Sequence, residues 1–149
     1  MVERKKVVIV GIPGVGKTSL VTRIVELINA EKHCASVHSY GTVMMGEAEG
    51  NQVSDRDNLR HLPVSQQKDL QKQAATKISE LTDDVVFIDT HAFISTDEGF
   101  YPGLPYHVIQ ILEPTHLIAI SARPEEIYNR RMKDDTRNRD KISIEAIKK

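Results

Sequence analysis

Apolar residues form short continuous runs along this chain, at residues 7–10, 85–88 and 117–120. These runs lack the alternation of apolar and polar positions that marks a strand with one solvated face. Continuous apolar character indicates strands that are buried on both faces of a parallel sheet. Residues 35–40 predict one more short strand, so the pattern favours an α/β fold.

Helices are predicted between these runs, because apolar residues there recur every three or four positions. The first helix spans residues 17–30, and its apolar stripe comprises Leu20, Ile24, Leu27 and Ile28, widened by Val21 and Val25. A long helix opens at Pro63, with a stripe of Leu70, Ala74, Ile78 and Leu81. Shorter helices are predicted at residues 106–112 and from Pro124 onward.

Two other segments carry turn signals instead of periodicity. Residues 46–58 are polar and punctuated by glycine, which predicts a mobile segment or a small excursion from the core. Residues 99–105 contain two glycines and two prolines, which predict an irregular loop.

Directly behind the first apolar run, residues 11–18 read GIPGVGKT and fit G-x-x-x-x-G-K-[ST] at every fixed position. Glycines let the backbone turn so tightly that successive N–H groups surround an anion, and the following helix adds its positive dipole end. We therefore expect a P-loop that binds a nucleoside triphosphate. The expected nucleotide-binding residues are Gly11, Pro13, Gly14, Val15, Gly16, Lys17, Thr18 and Ser19.

Three residues near this loop are expected to manage the charge of the phosphates. Lys17 would reach the β- and γ-phosphates, and the Thr18 hydroxyl would bind the Mg²⁺ that bridges them. Asp89 ends the apolar run 85–88, at the edge where open α/β sheets bind ligands, and it is the candidate carboxylate for Mg²⁺.

Composition narrows the choice of partners. The chain has 149 residues, one domain's length, with 20 Lys and Arg against 21 Asp and Glu and a net charge of −1. Such a balance offers no overall attraction to nucleic acid or to a membrane surface, and no apolar stretch reaches a membrane-spanning length. A single cysteine, Cys34, suits a reducing cytoplasm, and we expect it to be a buried or half-buried apolar filler.

Residues 130–140 are rich in arginine. One interpretation is a solvated helix face on which the arginines pair with neighbouring aspartates. The P-loop favours a mobile lid, because guanidinium groups stabilise the charge of a transferring phosphoryl group while closure excludes water. The lid arginines are then Arg130, Arg131, Arg137 and Arg139. The expected catalytic residues are Lys17, Arg130, Arg137 and Arg139.

The second predicted strand bears on the phosphoryl acceptor. A kinase that phosphorylates a hydroxyl group needs a carboxylate base, commonly placed after an early strand. Residues 40–42 end this strand without an acidic residue. A phosphate acceptor needs only positive charge and positioning, which Arg56 and Arg60 could supply. Pairing with neighbouring aspartates on the surface explains these two arginines equally well.

Six motifs together resemble the archaeal type of adenylate kinase over essentially the whole chain. They are VGIPGVGKT at 10–18, YGTVM at 40–44, DRDNLRHLP at 55–63, IDTH at 88–91, PGLP at 102–105 and TRNRD at 136–140. The resemblance implies a P-loop three-layer α/β/α fold with a parallel sheet, an inserted helical nucleoside-monophosphate-binding subdomain and a short lid. The core would comprise about residues 1–41 and 84–129, the insertion about 42–83 and the lid about 130–141.

The same resemblance implies reversible, Mg²⁺-dependent transfer of the γ-phosphoryl group of ATP to AMP, giving two ADP. Thr42, Arg56 and Arg60 would lie toward AMP, with the loop 103–105 bordering its pocket. Asp89 would order Mg²⁺ and its waters, whereas the role of His91 is left open. Relatives are often trimers, so a homo-oligomer is expected.

Other functions remain open at this point. A P-loop kinase for another nucleoside monophosphate or small phosphate acceptor keeps every assignment except AMP, since base specificity depends on pocket shape. A truncated nucleotide-binding fragment is the other alternative, because residues 143–147 predict a helix that ends soon after it begins, where relatives continue with a further strand and helix. A GTPase-like switch is disfavoured, since residues 89–92 lack the glycine of D-x-x-G and no N-K-x-D occurs.

Overall fold

The computed structural model describes residues 3–49, 56–59, 61–96, 99–133 and 147, with the backbone alone for residues 56, 57, 95 and 96. Its strands are β1 (Lys5–Val10), β2 (Ala35–Ser39), β3 (Val85–Thr90), β4 (Phe93–Thr96), β5 (Gly99–Pro102) and β6 (His116–Ala119). Its helices are α1 (Lys17–Ala30), α2 (Tyr40–Ala48), α3 (Arg56–Leu59), α4 (Val64–Ser79), α5 (Tyr106–Leu112) and α6 (Pro124–Lys133).

Four strands form a parallel sheet in the order β2-β3-β1-β6. Strand β1 pairs with β3 from Lys5 opposite Val85, and with β6 from Val7 opposite His116. The predicted parallel α/β fold is therefore confirmed. Because all four strands point the same way, the segments that follow them meet at one edge, which we call the carboxyl edge.

Alternate residues of the central strands face two separate apolar clusters, which gives the fold its three layers. Val8 and Val10 of β1 pack with residues of α2, α4 and α5, whereas Val7 and Ile9 pack with α1. This alternation follows from the period of two along a strand. The central strands need apolar residues at every position because both faces are covered.

Strand β6 differs from the prediction that residues 117–120 form a buried strand. It lies at the end of the sheet, and Leu117 and Ile118 are 65% and 43% exposed. Helix α1 also presents apolar side chains to solvent, because Leu20 and Leu27 are exposed. The stripe that packs on the sheet is narrower than predicted and comprises Val21, Ile24, Val25 and Ile28. Continuous apolar character thus marks β6 correctly as a strand but misjudges its burial.

Helix α2 was absent from the predicted elements. Residue 40 begins this helix instead of ending β2, and the helix covers part of the segment predicted as an excursion. Its apolar residues Val43, Met44, Met45 and Ala48 occupy consecutive as well as spaced positions, and all four pack in the core. A helix packed on several sides shows no single stripe, so its period is hidden in the sequence.

Residues 99–105 were wrongly predicted as wholly irregular. Residues 99–102 form β5, which pairs antiparallel with β4 from Phe93 opposite Pro102 to Thr96 opposite Gly99. Glycine and proline in this segment favoured a loop, yet both are compatible with a short strand at the edge of a two-stranded sheet. Residues 103–105 remain irregular.

The prediction that Cys34 is buried or half-buried is wrong, since this residue lies exposed on the surface. Its thiol donates a 3.0 Å hydrogen bond to Asp83 Oδ1, and Ser36 Oγ donates a 2.6 Å bond to Asp83 Oδ2. The thiol pKa is raised, chiefly by this bond to a carboxylate, and the pKa of Asp83 is lowered by its bonds to Cys34 and Ser36. This group lies at the start of β2 and β3, away from the carboxyl edge.

In the part of the chain that the structure describes, none of the helices combines the length and the apolar character needed to cross a bilayer.

Candidate functional site

The carboxyl edge gathers segments that are far apart in sequence. The loop after β1 holds residues 11–16, β3 carries Asp89 toward its end, and α2 and α6 begin shortly after β2 and β6. Crevices at this edge are where open α/β sheets bind ligands. The topology thus brings the predicted phosphate loop and the predicted Mg²⁺ carboxylate together.

Glycines shape the loop where side chains would not fit. Gly14 and Gly16 have positive φ angles of 90° and 96°, a region that residues with a Cβ rarely adopt. A Cβ on Gly11 would lie 2.8 Å from both the Ile120 carbonyl oxygen and Val15 Cγ1. The loop needs each of these glycines for backbone geometry or close packing, as the motif predicts.

Lys17 is buried at the start of α1 and pairs with the predicted metal carboxylate. Its Nζ lies 3.3 Å from Asp89 Oδ1, and the two side chains are only 7% and 16% exposed. The same Nζ donates a 3.1 Å hydrogen bond to the carbonyl oxygen of Gly11. Lys17 therefore lies folded back along the loop, with its charge balanced by Asp89.

His91 is the residue whose place in this site was not predicted. Its Nδ1 lies 2.9 Å from the Gly11 carbonyl oxygen and 3.5 Å from Lys17 Nζ. A carbonyl oxygen only accepts hydrogen bonds, so the short contact requires a proton on Nδ1. The sequence signal for His91 was its position two residues after Asp89, just beyond the end of β3.

Two arginines of α6 contact the backbone of the P-loop. Arg130 Nη1 donates a 2.9 Å hydrogen bond to the Val15 carbonyl oxygen, and Arg131 Nε donates a 2.8 Å bond to that of Pro13. Both belong to the predicted lid. Their described contacts are with the loop backbone, a feature that the charge pattern alone did not indicate.

The donor atoms near the loop suit a magnesium ion. Mg²⁺ prefers oxygen ligands and is commonly held by one or two protein oxygens together with nucleotide phosphates. Asp89 supplies a half-buried carboxylate, and Thr18 supplies an exposed hydroxyl in the first turn of α1. Groups of three or more His, Cys, Asp or Glu side chains with metal-site geometry do not occur among the described residues.

The structure describes some of the residues that are predicted to bind the phosphoryl acceptor. Thr42 lies exposed in the first turn of α2, next to the carboxyl edge. Arg56 begins α3, where the backbone alone is described, and Arg60 lies outside the described residues. Arg137 and Arg139 also lie outside them, so their predicted roles stay predictions.

Helix α2 is tied to the long helix α4 through a buried tyrosine. The Tyr40 hydroxyl donates a hydrogen bond to the Gln71 carbonyl oxygen, and burial raises the pKa of that hydroxyl. Tyr40 and Gln71 are 2% and 7% exposed. This bond joins the first turn of α2, which carries Thr42, to α4.

Comparisons with known proteins match most of this chain. The sequence profile of a family described as AAA domain matches residues 10–148. The adenylate kinase of Methanocaldococcus jannaschii is 42% identical over 147 residues, which cover 97% of this chain and 77% of the relative. That of Sulfurisphaera tokodaii is 39% identical, covering 94% and 75%. That of Pyrococcus abyssi is 41% identical, covering 96% and 72%.

A crystal structure described as APE1195 matches with a TM-score of 0.57 and 22% identity, covering 89% of this chain and 69% of that one. At this identity the match supports the fold alone.

Proposed function

The chain belongs to the adenylate kinase family and is a nucleoside monophosphate kinase, and we propose that it transfers the γ-phosphoryl group of ATP to AMP, with Mg²⁺ bound by Thr18 and Asp89. The observation that carries this proposal is the Lys17–Asp89 pair. It places the P-loop cation 3.3 Å from the carboxylate at the carboxyl edge. A cation for phosphates and an oxygen ligand for a metal are the two groups that this chemistry needs side by side.

Direct in-line transfer assigns each part of the site a task. The P-loop backbone holds the phosphates, and Lys17 turns from Asp89 toward the β- and γ-phosphates when ATP binds. Mg²⁺, when bound, neutralises charge on the phosphate oxygens. Since the acceptor is a phosphate and needs no base, binding and orientation by Thr42, Arg56 and Arg60 suffice on the AMP side.

The lid of this proposal comprises about residues 130–141, and the AMP-binding insertion about residues 42–83. Arg130, Arg137 and Arg139 stabilise the charge that develops on the transferring group. The contact of Arg130 with the P-loop supports this role, since its Nη1 donates a hydrogen bond to the Val15 carbonyl oxygen. Closure of the lid excludes water and directs the phosphoryl group to AMP.

We extend the proposal to a cytoplasmic homo-oligomer, a trimer by family resemblance. An apolar face of the β4–β5 pair supports an oligomer, since Phe93 and Phe100 lie on the same face and are 70% and 78% exposed. Light scattering coupled to gel filtration measures the state directly. A monomeric mass at micromolar concentrations would contradict this part of the proposal.

The enzyme assay uses purified chain with ADP and Mg²⁺ alone, followed by chromatography of the nucleotides. Equal amounts of ATP and AMP are expected, and Lys17→Ala is expected to lower the rate about a thousandfold. Arg23→Ala, which removes a cation from α1 that is 69% exposed, is the matched control and should react as the wild type does. Release of free phosphate would instead indicate hydrolysis. If the chain transfers the phosphoryl group from ATP to CMP, UMP or GMP in preference to AMP, the assignment of AMP as the acceptor is wrong.

A further inference from the structure

The Gly11 carbonyl oxygen accepts hydrogen bonds from two side chains. Lys17 Nζ lies 3.1 Å from it and His91 Nδ1 lies 2.9 Å from it. The two nitrogens are 3.5 Å apart, and both carry a proton toward the same oxygen, so no hydrogen bond joins them. While Lys17 is folded back, the Gly11 carbonyl oxygen at the start of the P-loop therefore accepts two hydrogen bonds.

Turning Lys17 toward nucleotide phosphates removes one of these donors. This step rests on the proposed function, in which Lys17 contacts the β- and γ-phosphates of ATP. A carbonyl oxygen that loses its last donor in a partly closed site carries a desolvation cost. With His91 in place, the Gly11 oxygen keeps a donor after Lys17 has left.

The backbone at His91 and Ala92 packs closely against Gly103. A Cβ on Gly103 would lie 2.0 Å from the His91 carbonyl oxygen, and the Gly103 N–H donates a 2.8 Å hydrogen bond to the Ala92 carbonyl oxygen. Thr90, immediately before His91, is buried at the end of β3. His91 therefore follows directly on β3, and its backbone is packed against Gly103.

We propose that His91 is a positioning residue for phosphoryl transfer: it holds the Gly11 carbonyl, so that Lys17 can leave that oxygen for the phosphates of ATP. His91 touches neither nucleotide in this role and acts through Lys17. The role requires an N–H at the Nδ1 position and makes no use of Nε2.

Two substitutions separate the ring nitrogens. The amide N–H of asparagine can occupy the place of Nδ1, whereas that of glutamine reaches toward the place of Nε2.

Affinity is measured by titration calorimetry with the ATP analogue that has an imido bridge between its β- and γ-phosphates, and separately with AMP. His91→Ala and His91→Gln are expected to raise the Kd for the analogue about tenfold. His91→Asn should restore it to within about threefold of wild type. The AMP Kd should stay within about twofold in all three variants.

The decisive measurement repeats His91→Ala in a Lys17→Ala background. Without Lys17 no donor leaves the Gly11 oxygen on binding, so His91→Ala should then change the Kd for the analogue by less than about twofold. His33→Ala, at the opposite end of the sheet, is the control histidine and should bind as the wild type does.

Several results would overturn the role of His91. These are an equal loss of AMP affinity in His91→Ala, an unchanged Kd for the analogue, His91→Asn as weak as His91→Gln, or an undiminished effect without Lys17. If His91→Ala does not fold, the comparison of asparagine with glutamine decides. Binding is measured without turnover, so a wild type that binds the analogue but fails to convert ADP would refute the proposed function and leave this test intact.

Discussion

Arg131 Nε donates a 2.8 Å hydrogen bond to the carbonyl oxygen of Pro13, so helix α6 is joined to the backbone of the P-loop. Gly14 leaves room for this contact, since a Cβ there would lie 3.1 Å from Arg131 Cγ. Arg130 continues the contact at Val15. The segment that leads into the proposed lid is therefore attached to the loop that is proposed to bind phosphate.

Arg131→Ala tests this attachment as a matter of stability. We expect the free energy of unfolding to fall by about 1–2 kcal/mol, because a charge-assisted hydrogen bond and the packing of the aliphatic stem are both lost. Urea unfolding followed by circular dichroism measures it. Arg23→Ala is the control, since Arg23 is 69% exposed and pairs with Glu26 on the surface. It should change stability by less than about 0.5 kcal/mol. Equal effects of the two substitutions would show that the contact with Pro13 contributes nothing.

Gly103→Ala is expected to destabilise the fold by about 3 kcal/mol or more, because its Cβ would lie 2.0 Å from the backbone oxygen of His91. Gly46→Ala is the comparison variant, for which the opposite change in stability is expected. Gly46 lies inside α2, and no neighbour from the described part of the chain comes within 4 Å of its Cβ position, so alanine there should stabilise by about 0.5–1 kcal/mol. Thermal unfolding of both variants measures the pair. A Gly103→Ala protein as stable as wild type would mean that the backbone at His91 yields easily.

Acid should weaken the fold partly through His107. Its Nε2 is buried without a hydrogen-bond partner among the described residues. Its pKa is lowered, first by burial and then by Lys72 and Lys68. The unfolded chain, in which the pKa is near the ordinary value of about 6.5, therefore binds a proton more readily than the folded chain does. Stability contributed by neutral His107 is present above that pH and is lost as the pH falls below it.

His107→Leu should make the unfolding temperature less dependent on pH between pH 7.5 and pH 5.5, because it removes the group that takes up the proton on unfolding. Gln110→Leu, which removes an exposed polar side chain that does not titrate from the same helix, should leave the slope as it is in wild type. The expected slope difference is read from melting curves at matched ionic strength. An unchanged slope in His107→Leu would refute the assignment.

Cys34 should react slowly for an exposed thiol. Its bond to the Asp83 carboxylate raises the thiol pKa, and the thiolate is the reactive form. Asp83→Asn should accelerate alkylation by iodoacetamide at pH 8 several-fold. The substitution removes the negative charge beside the thiol and the carboxylate that accepts its hydrogen bond, so more of the thiol is present as thiolate. Mass spectrometry at timed intervals follows the reaction, with Asp69→Asn on α4 as the control. Equal rates in Asp83→Asn and wild type would show that exposure alone governs this cysteine.

Much of the site was predictable because its signals are local. The pattern of residues 11–18 predicted the P-loop, and the structure shows the strand before it and the helix after it. Helix α5 spans 106–112, as its periodicity and the following Glu113 and Pro114 predicted. Asp89 was identified from its place at the end of an apolar run, and the parallel sheet brings it to Lys17.

Other features depend on contacts between distant segments. Helix α2 is packed on several sides and has no stripe for a sequence to show. The β4–β5 pair is assembled from residues that resemble loop formers. Burial of β6 depends on what lies beside it in the sheet, a property that its own residues do not contain.

The sequence by itself determined the P-loop, the parallel α/β character, the order of most elements and the family, since glycine spacing, apolar period and motif order are written along the chain. Only the tertiary structure decided that His91 shares the Gly11 oxygen with Lys17, that Arg131 holds Pro13, and that Cys34 lies exposed beside Asp83. These residues are 6 to 118 positions apart along the chain. A hydrogen bond forms only when its donor and acceptor lie within a few tenths of an ångström of about 2.9 Å, and packing of the strands and helices sets that distance.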